Sequence, residues 1–209
     1  GSIAAGAMSQ GINRHVIAIA GPPGSGKTAL MTALGQRLGD VTALFLDGFE
    51  TPASRLSSTE LAHWLKTGAR FDDFTVPGLG EALAALKAGQ PAVEPVSGRP
   101  VMPADLVLFE MPFGRAYTPT AALIDFLVWL DTPLDIALAR NVLAWEDRTP
   151  QRPRPWLVRY MKDYLGVTRA VLAAQRAAVM PGADLVLDGL APLGEAAQKG
   201  RVRPGPRQR

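Results

Sequence analysis

Gly21-Pro22-Pro23-Gly24-Ser25-Gly26-Lys27-Thr28 fills every fixed position of the pattern G-x-x-x-x-G-K-[ST]. Before it runs His15-Val16-Ile17-Ala18-Ile19-Ala20, an apolar stretch rich in β-branched residues that reads as a buried strand. After it, Leu30, Leu34 and Leu38 recur at helical spacing. Strand, glycine-rich turn and helix in that order are the context in which this pattern cradles phosphate. Glycines let backbone N–H groups curl around phosphate oxygens, and the helix N-terminus adds unpaired donors and partial positive charge. Pro23, Gly24, Ser25, Gly26, Lys27, Thr28 and Ala29 are therefore the expected nucleotide-binding residues. Lys27 would reach the outer phosphates and the Thr28 hydroxyl would ligate Mg²⁺, which makes ATP and Mg²⁺ the expected cofactors.

Working outward, strand-like runs alternate with helical patterns, which predicts a parallel α/β sheet. The expected strands cover about 15–20, 41–46, 105–109, 126–130 and 184–187. Helices are expected over 27–38, 58–66, 79–88 and 119–125, from Pro133 to about Trp145, from Pro155 to about Val179, and from Pro192 to Lys199. Ser57 and Glu60 have capping-box spacing ahead of the second helix. Residues 89–104 contain Pro91, Pro95, Pro100 and Pro103 and read as an irregular connection or an edge excursion. One domain over 11–198 is expected, after a tag remnant or disordered start at 1–10 and before a basic, disordered tail at 199–209.

Bulk properties narrow the classes. The 209 residues are 47% hydrophobic and include no cysteine, which suits a cytoplasmic globular protein without disulfides or thiolate metal sites. No apolar run is long enough to span a membrane. Of the 22 basic residues, Lys199, Arg201, Arg203, Arg207 and Arg209 lie in the tail, so the body carries 17 basic against 19 acidic residues. The net charge of +3 thus belongs to a solvated end, and no nucleic-acid partner is expected. A small-molecule substrate is the expected partner, and a homodimer is left open.

In an open parallel sheet, ligands sit beyond the carboxyl ends of the strands. Asp47 ends the second strand; it could orient Mg²⁺ or accept a hydroxyl proton, or merely begin a turn before Gly48. Glu110 ends the third and could hold Mg²⁺ through water, or cap a loop. Asp131, before Thr132-Pro133, reads as a cap. Arg140, Arg148, Arg152 and Arg154 surround a proline-rich break at about 146–155, as expected of a mobile lid carrying cations for phosphoryl transfer, or of a basic surface turn. Phe71-Asp72-Asp73-Phe74 could recognise a polyhydroxylated or cyclic substrate, or serve as a helix-entry loop. Trp145 and Trp156, flanking the expected lid, read as core-packing residues.

This order of motifs resembles the uridine kinase, phosphoribulokinase and bacterial-type pantothenate kinase group of P-loop kinases. The resemblance rests on residues 21–28, on Asp47-Gly48-Phe49 as an Asp-x-Phe motif, on the acidic loop 71–74, on Glu110, on the run from Asp131 to Arg140, and on Asp184-Leu185-Val186-Leu187. It implies a five-stranded sheet of order 2-3-1-4-5 with helices on both faces and a lid. It also implies ATP-dependent phosphorylation of a hydroxyl on a small metabolite such as a nucleoside, sugar or pantothenate-like acid. By the same resemblance Lys27, Asp47, Arg140 and Arg148 are catalytic, with Asp47 as base and the arginines as phosphate ligands. Asp47, Phe49, Asp72, Asp73, Glu110 and Arg115 would face the substrate, and Thr28 and Glu110 the metal. Two departures stand out: Glu110-Met111-Pro112 replaces the group's Glu-Gly, and Phe49 is followed by Glu50 rather than Tyr or His. The alternatives are a non-catalytic nucleotide-binding regulator, or another P-loop small-molecule or nucleotide kinase.

Overall fold

A computed structural model describes residues 14–51, 55–148 and 153–192, apart from the side chains of Glu146 and Arg148. Its main sheet has five parallel strands: β1 (His15–Ala20), β2 (Val41–Phe45), β5 (Leu106–Glu110), β6 (Phe126–Asp131) and β7 (Leu185–Asp188). They lie in the order β2-β5-β1-β6-β7, which is 2-3-1-4-5 when only these five are counted. This is the P-loop NTPase-type α/β fold that the resemblance implied. β1, at the centre, buries Val16, Ala18, Ile19 and Ala20 completely, as a strand covered on both faces must.

One face of the sheet is covered by α1 (Lys27–Leu38), whose Leu30, Met31 and Leu34 pack on Ile19, Leu108, Val128 and Leu187. Leu38, expected on that stripe, is 44% exposed, and Met31 takes its place. The other face receives α3 (Leu79–Lys87) and α7 (Arg169–Val179). Leu79, Leu83 and Leu86 are fully buried there, against Val107, Phe109 and Trp129. Each fully buried side chain of this kind contributes roughly 1.5–3 kcal/mol. α2 (Ser58–Lys66) begins at the expected capping box of Ser57 and Glu60. The remaining helices are α4 (Thr118–Ala121), α5 (Leu134–Arg148) and α6 (Arg154–Asp163). α6 runs into α7 through a π-helical turn at Tyr164–Thr168, so the expected long helix is continuous but locally widened. The expected helix from Pro192 lies almost wholly outside the described residues.

The proline-rich stretch at 89–104 forms the edge excursion, a short antiparallel hairpin of β3 (Ala92–Val93) and β4 (Pro100–Val101). Its job is visible in its hydrogen bonds. β2 is the edge strand, and the hairpin occupies its outward backbone groups. Phe45 N–H donates to Glu94 Oε1 at 3.3 Å, and Arg99 donates to the Ala43 carbonyl at 2.9 Å. Glu94 is itself ion-paired to Arg99 and accepts from Ser97. An unpaired strand edge is a template for aggregation, and here a charged pair closes it.

Below β2, the chain turns through a 3₁₀ segment at Leu46–Gly48. Gly48 lies on the Glu94 carboxyl group: a Cβ there would fall 2.5 Å from Glu94 Cδ. Val96 N–H also donates to the Gly48 carbonyl at 3.0 Å. The hairpin therefore both seals the edge and sets the turn that follows it.

Burial alone would raise the Glu94 pKa, but the hydrogen bonds from Arg99, Ser97 and Phe45 N–H outweigh it and hold the carboxyl below its usual range. An acid with a depressed folded-state pKa stabilises above its unfolded value and loses that contribution as pH falls through the folded one. Glu94→Gln should therefore cost about 1–3 kcal/mol at pH 7 and less as the pH drops below about 4.3. Urea melts of both proteins between pH 3 and pH 7 check this.

Candidate active site

Each of the five strands ends at the same edge of the sheet, and the loop after β1 turns there into α1. Gly24 and Gly26 adopt left-handed φ values of 81° and 101°. At Gly24 the requirement is also one of space. A Cβ would meet the Ala137 carbonyl oxygen of α5 at 2.0 Å, because the α5 backbone rests on the loop. α1 begins at Gly26 with no side-chain cap and no acid in its first turn, which leaves its N-terminal field uncompensated. An anion fits this cradle. Thr28 and Ala29 face solvent on that first turn, whereas Ser25 is buried.

Lys27 is only 7% exposed. Its ammonium donates to the Pro22 carbonyl at 3.0 Å and lies 3.6 Å from Glu110 Oε1, an ion pair longer than a hydrogen bond. Burial lowers the Lys27 pKa against the opposing pull of Glu110 and Asp47. Burial likewise raises that of Glu110, opposed by Lys27 and reinforced by the charge of Asp47. A desolvated cation beside an uncapped helix N-terminus is a favourable place for phosphate oxygens.

Asp47 is exposed on the 3₁₀ turn after β2, close enough for its charge to act on Lys27, Glu110 and Glu50. Its turn is anchored by Leu46 and Phe49, which are 4% and 2% exposed. Phe49 was expected to face the substrate; it belongs to the core instead and fixes the turn from beneath.

Three other expected substrate residues also lie elsewhere. Asp72 accepts from the Thr118 N–H at 2.8 Å and from its hydroxyl at 2.9 Å, so it caps α4. Its neighbours Phe71 and Phe74 pack with Trp64, Phe113 and Tyr117 in an aromatic cluster. Asp73 lines a separate cleft of about 580 Å³ against α2, with Leu56, Thr59, His63 and Trp64. Arg115 is bound to Asp184 at 2.7 Å and to the Gly182 carbonyl at 3.0 Å. Asp184 in turn accepts from Leu127 N–H where β6 begins, so Arg115 serves the amino end of the sheet, opposite the phosphate loop.

Arg140 donates to the Gly189 carbonyl at 2.9 Å. With Ser25, Gly26, Ala29, Leu130 and Asp188 it lines a cavity of about 240 Å³ on the β7 side of the loop. Lys27 and Glu110 are on the β5 side, so Arg140 flanks the loop rather than facing the acids. Arg148 ends α5, but its side chain and the segment 149–152 lie outside what is described. The helices on either side of that segment, α5 and α6, are joined by Trp145, Trp156 and Tyr160, whose ring centroids lie 4.5–5.7 Å apart. The two tryptophans were expected to pack in the core; they are half-buried and pack instead between α5 and α6, outside the main core.

Two supporting residues escaped the sequence reading. Gln175, 3% exposed on α7, donates to the Pro112 carbonyl at 2.8 Å and to the Gly21 carbonyl at 3.4 Å. It ties both loops of the site to α7, and a polar residue one turn before Val179 on a buried face was the available signal. Thr132, 4% exposed, donates from its hydroxyl to the Ser25 carbonyl at 3.2 Å. Asp131 is not a cap: it accepts two hydrogen bonds from Arg176, at 2.9 and 3.0 Å.

No group of three or more His, Cys, Asp or Glu among the described residues could hold a metal ion by itself. The exposed Thr28 hydroxyl could supply one ligand to a hard cation. Among the described residues, no helix is long and apolar enough to cross a membrane.

The same fold recurs in solved structures. A possible uridine kinase from Bacillus stearothermophilus is 18% identical, with 84% of this chain and 89% of that one covered and a TM-score of 0.54. A shikimate kinase from Bacteroides thetaiotaomicron is 16% identical, with 88% and 95% covered and a TM-score of 0.50. No protein-family model matches the chain, and no curated protein matches it in sequence. At this identity the likeness is one of fold: the chain has the fold of the P-loop kinases.

Gly24→Ala combines a left-handed φ with a collision against backbone, so it should destabilise the protein by about 1–3 kcal/mol or more and abolish phosphate binding. Gly35, on α1, has open space around it, and Gly35→Ala should stabilise by about 0.5–1 kcal/mol. Denaturant melts of the two variants, with calorimetric titration of ATP, check both.

Proposed function

We propose that the protein is an ATP-dependent kinase that phosphorylates a hydroxyl of a small metabolite, as the resemblance to the uridine kinase, phosphoribulokinase and pantothenate kinase group implies. The observation that carries this reading is the division of the site across the sheet. The cavity with Arg140 lies on the β7 side of the phosphate loop, Lys27 lies at its centre, and Asp47 with Glu110 lies on the β2–β5 side. A nucleotide laid along this edge has its base end at Arg140 and its terminal phosphate at Lys27. The acceptor then meets the two acids.

In this mechanism the loop amides and Lys27 hold and orient the phosphates. Thr28 would ligate Mg²⁺ and Glu110 would contact it through water, and the ion would supply positive charge to offset that of the phosphates. Asp47 accepts a hydrogen bond from the attacking hydroxyl and takes its proton as the P–O bond forms. The γ-phosphoryl group passes to that oxygen and ADP leaves. Positioning and charge stabilisation supply most of the rate. By the resemblance Arg148 would be a phosphate ligand, while Arg140 acts at the base end rather than on the γ-phosphate.

Lys27→Ala should abolish measurable ATP binding. Asp47→Asn should leave ATP affinity within about two-fold and lower turnover about 10²-fold or more, the scale of a lost positioned base. Calorimetry with ATP and coupled measurement of ADP release against a panel of hydroxyl compounds separate the two effects. A regulator without turnover would bind ATP and yield no phosphorylated product with any of them.

A further inference from the structure

α7 buries Gln175 and Val179, one turn apart on its inward face. An amide on such a face is costly unless its polar atoms find partners. The Gln175 NH₂ group donates to two carbonyls, that of Pro112 at 2.8 Å and that of Gly21 at 3.4 Å. Its Oε1 is buried and accepts from no described group. The reverse orientation would set oxygen against the Pro112 carbonyl oxygen, so the donors face the two loops.

The sheet explains why two carbonyls meet there. β1 and β5 pair in a register that sets Ile19 opposite Glu110, and the same register continued sets Gly21 opposite Pro112. Met111 N–H donates to the Ile19 carbonyl at 3.1 Å, the last backbone rung between the two segments among the described residues. Pro112 then brings no N–H, and the chain bends so that Gly114 N–H returns to the Met111 carbonyl at 2.9 Å. Gln175 takes over where the ladder stops, bridging the two diverging loops from a third element.

Both loops carry the chemistry. On the β1 side, Gly21 precedes Pro22, whose carbonyl accepts from the Lys27 ammonium at 3.0 Å. On the β5 side, the fully buried Met111 joins Glu110 to Pro112. The 3.6 Å separation of Lys27 Nζ from Glu110 Oε1 spans this seam, so a side chain that fixes the seam fixes that separation.

We propose that Gln175 is a positioning residue for phosphoryl transfer: its amide, bridging the Gly21 and Pro112 carbonyls, holds the Lys27 side of the site in register with the Glu110 side. This rests on the kinase reading above. Gln175 acts through the two loops and touches neither reactant. A misplacement of about 1 Å is enough to cost about 10²-fold in rate. The phosphate cradle itself is held separately, by the α5 backbone at Gly24 and by Thr132 at the Ser25 carbonyl, so its affinity for ATP does not depend on the bridge.

The test compares Gln175→Met and Gln175→Glu with the unsubstituted full chain at about pH 8. Calorimetry gives ATP affinity, and ADP release gives kcat and KM with the best acceptor among uridine, ribitol, glucose, shikimate and pantothenate. Gln175→Met keeps the length and loses the donors; Gln175→Glu keeps the shape and sets an ionised carboxylate against both carbonyls. Each should lower kcat about 10-fold or more while ATP affinity stays within about three-fold, and Gln175→Glu should fall at least as far as Gln175→Met. Packing alone ranks them the other way, with the isosteric Gln175→Glu the milder. Should Gln175→Glu not fold, the split between kcat and ATP affinity in Gln175→Met decides alone. An unchanged kcat in Gln175→Met, a loss of ATP affinity in step with kcat, or a Gln175→Glu enzyme faster than Gln175→Met overturns the proposal and leaves the kinase reading standing. ATP binding by the unsubstituted chain without phosphorylation of any acceptor overturns both.

Discussion

Lys27 is a cation that the fold has taken out of water without fully neutralising it. Its ammonium sits between the Pro22 carbonyl at 3.0 Å and Glu110 at 3.6 Å, and that position needs β1, β5 and α1 to meet at one edge. Desolvation makes the buried charge costly and leaves it able to interact strongly with an incoming phosphate. Most of the surrounding structure can be understood as what holds this arrangement in place. α5 rests its backbone on Gly24, Thr132 bonds the Ser25 carbonyl, and Gln175 ties Gly21 to Pro112.

The acceptor side depends on a different device. An edge strand has free backbone groups, and the hairpin of β3 and β4 supplies Glu94 and Arg99 to occupy them. Because Glu94 also lies against Gly48, sealing the edge fixes the conformation of the turn that carries Asp47. A structural solution to edge protection thereby becomes a positional constraint on the site. The buried Phe49 completes it by closing the inner side of the turn.

The arginines of this chain divide by location rather than by type. Arg99 neutralises the buried Glu94, Arg115 is paired with the exposed Asp184, and Arg176 with Asp131. Arg140 is placed beside the phosphate loop by its bond to Gly189. The aromatic contacts among Trp145, Trp156 and Tyr160 tie α5 to α6, so the two helices form one packed unit. The π-helical turn at Tyr164–Thr168 then joins that unit to α7.

Sequence alone determined the strands and the phosphate loop, because each is written in local patterns: apolar runs, glycines at set spacing and caps; the order of the sheet followed from the resemblance to the P-loop kinase group. Lys27, Asp47 and Glu110 were legible for the same reason, since strand ends can be counted along the chain. Only the tertiary structure decided which polar residues the site shares. Phe49, Asp72 and Arg115 all stood in loops expected at the substrate, yet hydrophobic burial took the first, and unsatisfied backbone or charged partners far along the chain took the others. Gln175 is tied to Gly21, a residue 154 positions away, and no local pattern records such a contact. Local sequence encodes which segments form; long-range competition for partners decides which side chains are left free to meet a ligand.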